Sequence, residues 1–142
     1  MSDQPYLFSL GPDSQAMASV RRGLEQFNAQ LIGTSAYTDF ELYARDADGQ
    51  LIGGMFGHSG MGWLYIDYLW LSEDQRNCGL GSELLKMAEQ EAQKRGCTGV
   101  FLYSYSFQAP AFYQKQGYQI MGMLEECPPG HQRYYLKKIL NP

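Results

Sequence analysis

Apolar residues recur along this chain with two periods, and the changes of period mark its elements. Met17, Val20, Leu24, Phe27 and Leu31 fall three or four positions apart, the spacing that lines one face of an α-helix. Arg21, Arg22, Glu25 and Gln26 lie off that face, and Asp13 or Ser14 can cap the first turn by accepting from its free N–H groups. Gly23 inside the helix costs about 1 kcal/mol relative to alanine. Ahead of the helix, Tyr6 to Leu10 reads as a short strand closed by Gly11-Pro12. From Phe40 the period shortens. Phe40 to Arg45 and Leu51 to Phe56 flank Asp46-Ala47-Asp48-Gly49, whose Asp-Gly pair marks a hairpin turn. Gly57 to Gly62 reads as a second glycine-rich turn. Trp63 to Leu71 is nearly all apolar or aromatic, the pattern of a strand covered on both faces, and Asp67 interrupts it.

The helical period returns from Ser82 to Arg95, with Leu84, Leu85, Ala88 and Ala92 inward and Glu91 one turn from Arg95. Gly96 is a natural stop. Val100 to Ser106 is a strand, Ala109 to Gln116 a short helix ended by Gly117, and Tyr118 to Leu124 a strand. Cys127-Pro128-Pro129-Gly130 forms a rigid turn before a last strand, Gln132 to Leu140. The order is strand, helix, three strands, helix, strand, helix, two strands. That order predicts an α/β (α+β) fold, a mixed sheet of about seven strands with helices on both faces.

Composition narrows the class. The 142 residues suit one domain over 1–142, and 44% hydrophobic with 18% charged residues is globular. A net charge of −4 argues against a generic nucleic-acid partner, which wants a basic face. No apolar run approaches the roughly 20 residues that span a bilayer, and Met1 to Ser9 has no signal-peptide pattern. No membrane partner is expected. Cys78, Cys97 and Cys127 are odd in number without a CxxC pair, and His58 and His131 are the two histidines. Neither a disulfide framework nor a metal centre is expected, and a reducing, cytoplasmic setting fits.

The most informative stretch is Arg76-Asn77-Cys78-Gly79-Leu80-Gly81, between the aromatic strand and the second helix. Two glycines let the backbone approach a bulky anion, because no Cβ blocks it. Free N–H groups at a helix start, with the positive end of its dipole, bind phosphate. The loop lacks the Lys-Ser/Thr of a nucleoside-triphosphate P-loop. It also lacks the third glycine of a dinucleotide fingerprint.

This loop and the element order resemble the GCN5-related N-acetyltransferase (GNAT) superfamily. Arg76, Gly79 and Gly81 supply its signature of Gln or Arg, two residues, Gly, one residue, then Gly or Ala. Ala109 to Tyr118 looks like the family's late helix, with the aromatic pair Phe112-Tyr113 and the Gly117-Tyr118 step. One position departs: family members often carry Asn seven residues before that tyrosine, where this chain has Ser106.

The resemblance implies transfer of an acetyl group from acetyl-coenzyme A to an amine, with no metal. It places the pyrophosphate on the N–H groups of Asn77, Cys78, Gly79, Leu80, Gly81 and Ser82, with charge from Arg76. It sets the pantetheine arm along the strand end Leu69, Trp70, Leu71, where two parallel strands splay apart, as an added strand would lie. Ser106 and Phe112 are carried over as further coenzyme contacts. A homodimer through the C-terminal strands is a family analogy.

Candidate residues keep two readings each. Tyr113 is either a core aromatic or the phenol that protonates or hydrogen-bonds the departing thiolate. Asp67 is either structurally paired or the group that takes a proton from, or orients, the amine. By strand alternation Tyr65 shares its side and joins the acceptor site, as Leu69 and Leu71 share theirs. Glu126 and His131, with Glu125, flank the diproline turn as substrate-side groups or as a solvated hairpin. Gln108 contacts substrate or caps the late helix, and His58 reads as an exposed loop residue. Cys78 at a helix start invites an acyl-cysteine route, but no adjacent base supports it. A small-molecule primary amine is the expected acceptor. Acetylation of a protein N-terminus or lysine, and a coenzyme-A-binding module without turnover, are the alternatives.

Overall fold

The computed structural model describes residues 5–33 and 36–140, and the chain divides after residue 35 into two compact units. The first contains helix α1 (Ser14–Ile32). Asp13 caps it, its Oδ1 accepting the Ala16 N–H at 3.0 Å, and Gly33 ends it at φ 78°. Gly23 causes no break. Tyr6 to Leu10 is irregular and forms no strand. A strand needs a neighbour to close its hydrogen bonds, and this segment enters no ladder.

The second unit is a six-stranded sheet in the order β1-β2-β3-β4-β6-β5. Its strands are β1 (Thr38–Arg45), β2 (Leu51–Gly60), β3 (Trp63–Leu71), β4 (Gly99–Tyr105), β5 (Gln119–Glu125) and β6 (Gln132–Ile139). Six strands among the described residues agree with the expected mixed sheet of about seven, Tyr6 to Leu10 being the segment that adds no strand. All neighbours are antiparallel except β3 and β4. Between these two come a 3-10 turn (Glu73–Gln75) and α2 (Leu80–Lys94); α3 (Pro110–Lys115) links β4 to β5.

Helix α2 buries Leu84, Leu85, Ala88 and Ala92 against Phe40, Met55, Leu64, Ile66, Val100, Leu102 and Leu136. Its far end is tied down by Arg95, which meets Glu91 at 2.8 Å and the Ser59 hydroxyl at 3.1 Å. Gly96, at φ 77°, stops it as expected. The helix begins two residues before Ser82, because Gly79 in the left-handed region serves as its N-cap.

The segment from Gly57 to Gly62 is not one turn. Strand β2 runs through Gly60, and the hairpin turns on Met61 and Gly62, both at positive φ (54° and 82°), as a tight two-residue loop requires. Gly57 instead marks a close approach: a Cβ there would collide with the Tyr65 carbonyl on β3. Opposite it, the β2–β3 register steps from Gly57↔Ile66 to Phe56↔Tyr68, leaving Asp67 as an extra residue, a β-bulge. The bulge reverses the side-chain parity of β3. Leu64 and Ile66 face α2 before it, and Leu69 and Leu71 pack toward the same core after it. Strand β3 is therefore not covered on both faces, since Tyr68 and Trp70 are exposed. Asp67 is half-buried. Its carboxylate still bonds the Tyr65 hydroxyl, so the two share a side as strand alternation predicts, and the bulge shifts only the residues after it.

Candidate functional site

Strands β3 and β4 pair in parallel over four residues each, ending at Ile66↔Leu102. Beyond that point β3 continues beside β2 to Leu71, and β4 continues beside β6 to Tyr105. The two strands splay, so the β4-side backbone edge of residues 67–71 has no strand partner among the described residues. Asp67, Leu69, Trp70 and Leu71 all lie on this opened stretch. An extended ligand with amide groups could pair there as a strand would.

The chain leaving β3 turns directly into α2. Asn77 and Gly79 take positive φ, 63° and 89°. Left-handed residues next to right-handed ones turn consecutive N–H groups into one concavity. The first helix-closing bond runs from Glu83 N–H to the Gly79 carbonyl at 3.1 Å, so the N–H groups of Leu80, Gly81 and Ser82 lie ahead of it. Arg76 is exposed and folds back to the β3 end, its Nε donating to the Leu71 carbonyl at 3.4 Å. The Cys78 thiol sits against the carbonyls of Asp74 and Arg76 at 3.5 and 3.4 Å.

The two glycines of the loop do different work. Gly79 has open space where a Cβ would be, and its requirement is the positive φ. Gly81 is helical and buried, and a Cβ there would press on Phe112 at 3.2 Å and Leu71 at 3.3 Å. It lets α3 close onto the first turn of α2. The Gln116 amide completes the joint, donating to the Ser82 hydroxyl at 2.8 Å. Phe112 is thereby held close to Gly81 near the end of β3, with Tyr113 next to it on α3. Tyr113 is half-buried between the Phe112 and Tyr118 rings, with centroids at 5.1 and 6.0 Å. Burial pushes its phenol up to about 12, so it is a neutral donor throughout the physiological range.

The face of the sheet turned away from α2 is aromatic. Tyr65 packs on Phe101 at 4.8 Å and on His58 at 5.5 Å. His58 is a half-buried strand residue, not a loop histidine, because β2 extends past it. Burial first, then the nearby Asp67 charge, raise the Tyr65 phenol to about 12. Tyr103 on β4 is raised by burial, with Arg133 opposing and Asp67 adding. Arg133, on β6, lies over the Tyr103 ring at 3.5 Å. The sequence reading did not single out Tyr103 or Arg133. Register opposes Arg133 to Tyr105, a pairing that depends on β6 joining β4, which no local pattern announces.

The remaining candidates form one polar hairpin group. Gln108 neither caps α3, whose N-cap is Ala109, nor points free: its side-chain oxygen accepts the Tyr105 N–H at 2.8 Å and closes the β4–α3 turn. The Ser106 hydroxyl accepts the Gln132 N–H at 3.0 Å and lies 3.3 Å from His131 Nδ1. With Oγ accepting from Gln132, its own hydrogen is available to that ring nitrogen. His131 also packs edge-on against Phe107 at 5.0 Å. Glu126, at φ 54°, accepts the Gly130 N–H at 3.4 Å within the turn. Glu126, Gln108 and His131 are exposed. The first two are engaged with their own backbone turns. No grouping of three or more His, Cys, Asp or Glu side chains suited to a metal occurs among the described residues, and no helix among them is long and apolar enough to cross a membrane.

Comparisons with known proteins agree with this geometry. A family model described as the acetyltransferase (GNAT) family matches residues 13–118. The chain is 33% identical over 126 residues to an acetyltransferase of Agrobacterium fabrum (strain C58 / ATCC 33970), covering 89% of this chain and 92% of that one. It is 39% identical over 102 residues to the blasticidin-S acetyltransferase of Streptomyces morookaense, covering 71% and 75%. Among solved structures, an acetyltransferase from Bacillus cereus ATCC 14579 superposes with a TM-score of 0.87 at 31% identity, covering 95% and 98%.

Proposed function

The chain belongs to the acetyltransferase (GNAT) family, and from that premise we propose that it moves the acetyl group of acetyl-coenzyme A to a primary amine of a small molecule by direct attack. The observation that carries the reading is the splay past Ile66↔Leu102 opening beside the first turn of α2. The diphosphate sits on the N–H groups of Asn77 to Ser82, and the pantetheine amides pair with the free edge of β3. Phe112, which closes onto Gly81, supports that arm, and Ser106 borders it from the β4 side. Placement supplies much of the rate, because two bound reactants no longer need to find each other.

The amine must lose a proton, since an amine of pKa near 10 is almost wholly protonated at neutral pH. Asp67, lifted out of the ladder by the bulge, orients the ammonium and takes that proton directly or through water. The nitrogen lone pair then forms the N–C bond, and a main-chain N–H at the strand end stabilises the oxyanion. As it collapses the C–S bond breaks, and the thiolate leaves with the electron pair. Tyr113 donates a hydrogen bond to that sulfur. With its phenol near 12 and a simple thiol near 8.5, full proton transfer from Tyr113 is roughly a thousandfold unfavourable. The nitrogen gives up its second proton to solvent as the amide forms, and solvent protonates the departed thiolate.

A small-molecule acceptor is supported by the name of the Streptomyces relative. The test is calorimetry with acetyl-coenzyme A followed by thiol release against a panel of amines, polyamines, amino acids and antibiotics. The expected result is coenzyme uptake and a mass gain of one acetyl group on some amine. Absence of uptake would sink the reading. Uptake without turnover across small molecules and peptides would leave a coenzyme-binding module, and turnover on peptides alone would point to a protein acceptor.

A further inference from the structure

Arg133 is a cation set among tyrosines with no counter-ion among the described residues. Its guanidinium carbon lies 3.5 Å from the Tyr103 ring centroid, 5.2 Å from Tyr135 and 5.8 Å from Tyr105. Neither ion pair among the described residues includes it, and its Nε is buried without a hydrogen-bond partner. Ring faces offset part of the cost of burying the charge. They do not accept its in-plane N–H groups, which suit a planar, bidentate anion. A buried donor left unpaired is costly, and because Nε is closed off, an anion would meet the guanidinium at its Nη end and offset the burial of the charge there.

Its position relates it to the reacting centre. Tyr103 and Tyr105 stand on the part of β4 that has already left β3, past Leu102. Asp67 stands on the matching stretch of β3. Tyr65 and Tyr103 both lie close enough to Asp67 and to Arg133 for each charge to act on their hydroxyls. The two opposite charges therefore bracket one pair of phenols on one face of the sheet, and they do not pair with each other. A carboxylate on one side and a guanidinium on the other is the complement of a zwitterion.

We propose that Arg133 anchors a carboxylate of the acceptor, so that the substrate class is a primary amine that also carries an acid, with its amine at Asp67 and its acid at Arg133. The idea rests on the acetyl-transfer reading and narrows it: simple monoamines and purely cationic polyamines become poor substrates. The Tyr65 and Tyr103 rings form the wall between the two poles, and their neutral hydroxyls add donors for the acid.

The test uses matched pairs, each an amino acid and its carboxamide (β-alanine, lysine and arginine with their amides), read as thiol release from acetyl-coenzyme A. The amide's amine is the less basic of each pair, so intrinsic reactivity works against the expected order. For wild type, kcat/KM should favour the acid by roughly 30-fold or more, the worth of a charge-assisted bidentate bond. In Arg133→Met the acid-to-amide ratio should fall toward one, and added guanidinium ion should restore part of it, which a merely structural role would not do. Calorimetric uptake of acetyl-coenzyme A by the variant checks that it is folded; if it is not, the same ratio is read in Arg133→Lys, where a partial preference is expected. Amides used as well as acids, or an unchanged ratio in the variant, would overturn the assignment. So would acceptance of simple monoamines with rejection of every amino acid, which leaves acetyl transfer standing. If no amine of any kind reacts, the transferase reading itself fails and this inference falls with it.

Discussion

At the scale of single residues, Tyr113 carries the sharpest prediction. It is held by ring contacts on both sides, so removing one oxygen disturbs little packing, and its raised pKa makes it a donor and not a base. Tyr113→Phe should lower kcat about 100-fold, the worth of one donor to developing charge, while the Kd of acetyl-coenzyme A changes less than about 2-fold, measured by steady-state kinetics and calorimetry. Equal losses in both would mark it as a packing residue. The loop glycines were visible in the sequence as a pair with one purpose. The structure separates them, Gly79 for its backbone angle and Gly81 for the 3.2 Å margin to Phe112. That difference lies in tertiary contact and leaves no local trace. Arg133 shows the same limit, since an arginine in a β-strand looks like a solvated edge residue until its three tyrosine neighbours are known.

At the scale of elements, helices and turns were readable because their signals are local. The spacing of Leu84, Leu85, Ala88 and Ala92, the Gly96 stop and the Glu91–Arg95 pair all appear where the pattern places them. Strand β3 was right in extent and wrong in being covered on both faces, because the Asp67 bulge, set by register with β2, is followed by Tyr68 and Trp70 on the exposed side. One partly buried network also ties elements together. Glu89 on α2 accepts the Tyr118 hydroxyl at 2.9 Å and Lys138 at 2.9 Å, while Lys138 donates to the Gln116 carbonyl at 3.0 Å. It joins α2, β6 and the end of α3, so it holds the helix whose first turn is the proposed coenzyme site. Unlike the solvent-screened Glu91–Arg95 pair, removal of Glu89 leaves a buried phenol without an acceptor and the Lys138 ammonium without its counter-ion. Glu89→Ala should cost about 2 kcal/mol, seen as a lower urea midpoint. A midpoint unchanged from wild type would show that water replaces the carboxylate.

At the scale of the whole molecule, three phenols tie stability to alkaline pH. Tyr113 and Tyr65 are held near 12, and Tyr118 is raised further, first by burial and then by Glu89. An unfolded tyrosine titrates near 10. The folded state holds these protons more tightly, so their contribution is fully present below pH 10 and is lost as pH rises toward 12. The Tm should therefore fall across that window, less steeply in Tyr113→Phe, and a flat Tm from pH 10 to 12 would refute the burial assigned to them. The sequence by itself determined what nearest neighbours decide: the helical periods, the caps, the Asp-Gly turn, and a glycine loop feeding a helix start that resembles an acetyltransferase signature. Tertiary structure alone decided the length of the β3–β4 ladder, the face on which each β3 side chain emerges, and the company of Arg133. The physical reason is separation along the chain. Tyr105 and Arg133 meet through strand register, and register is set by the burial of the whole sheet face, to which each residue adds only a small part.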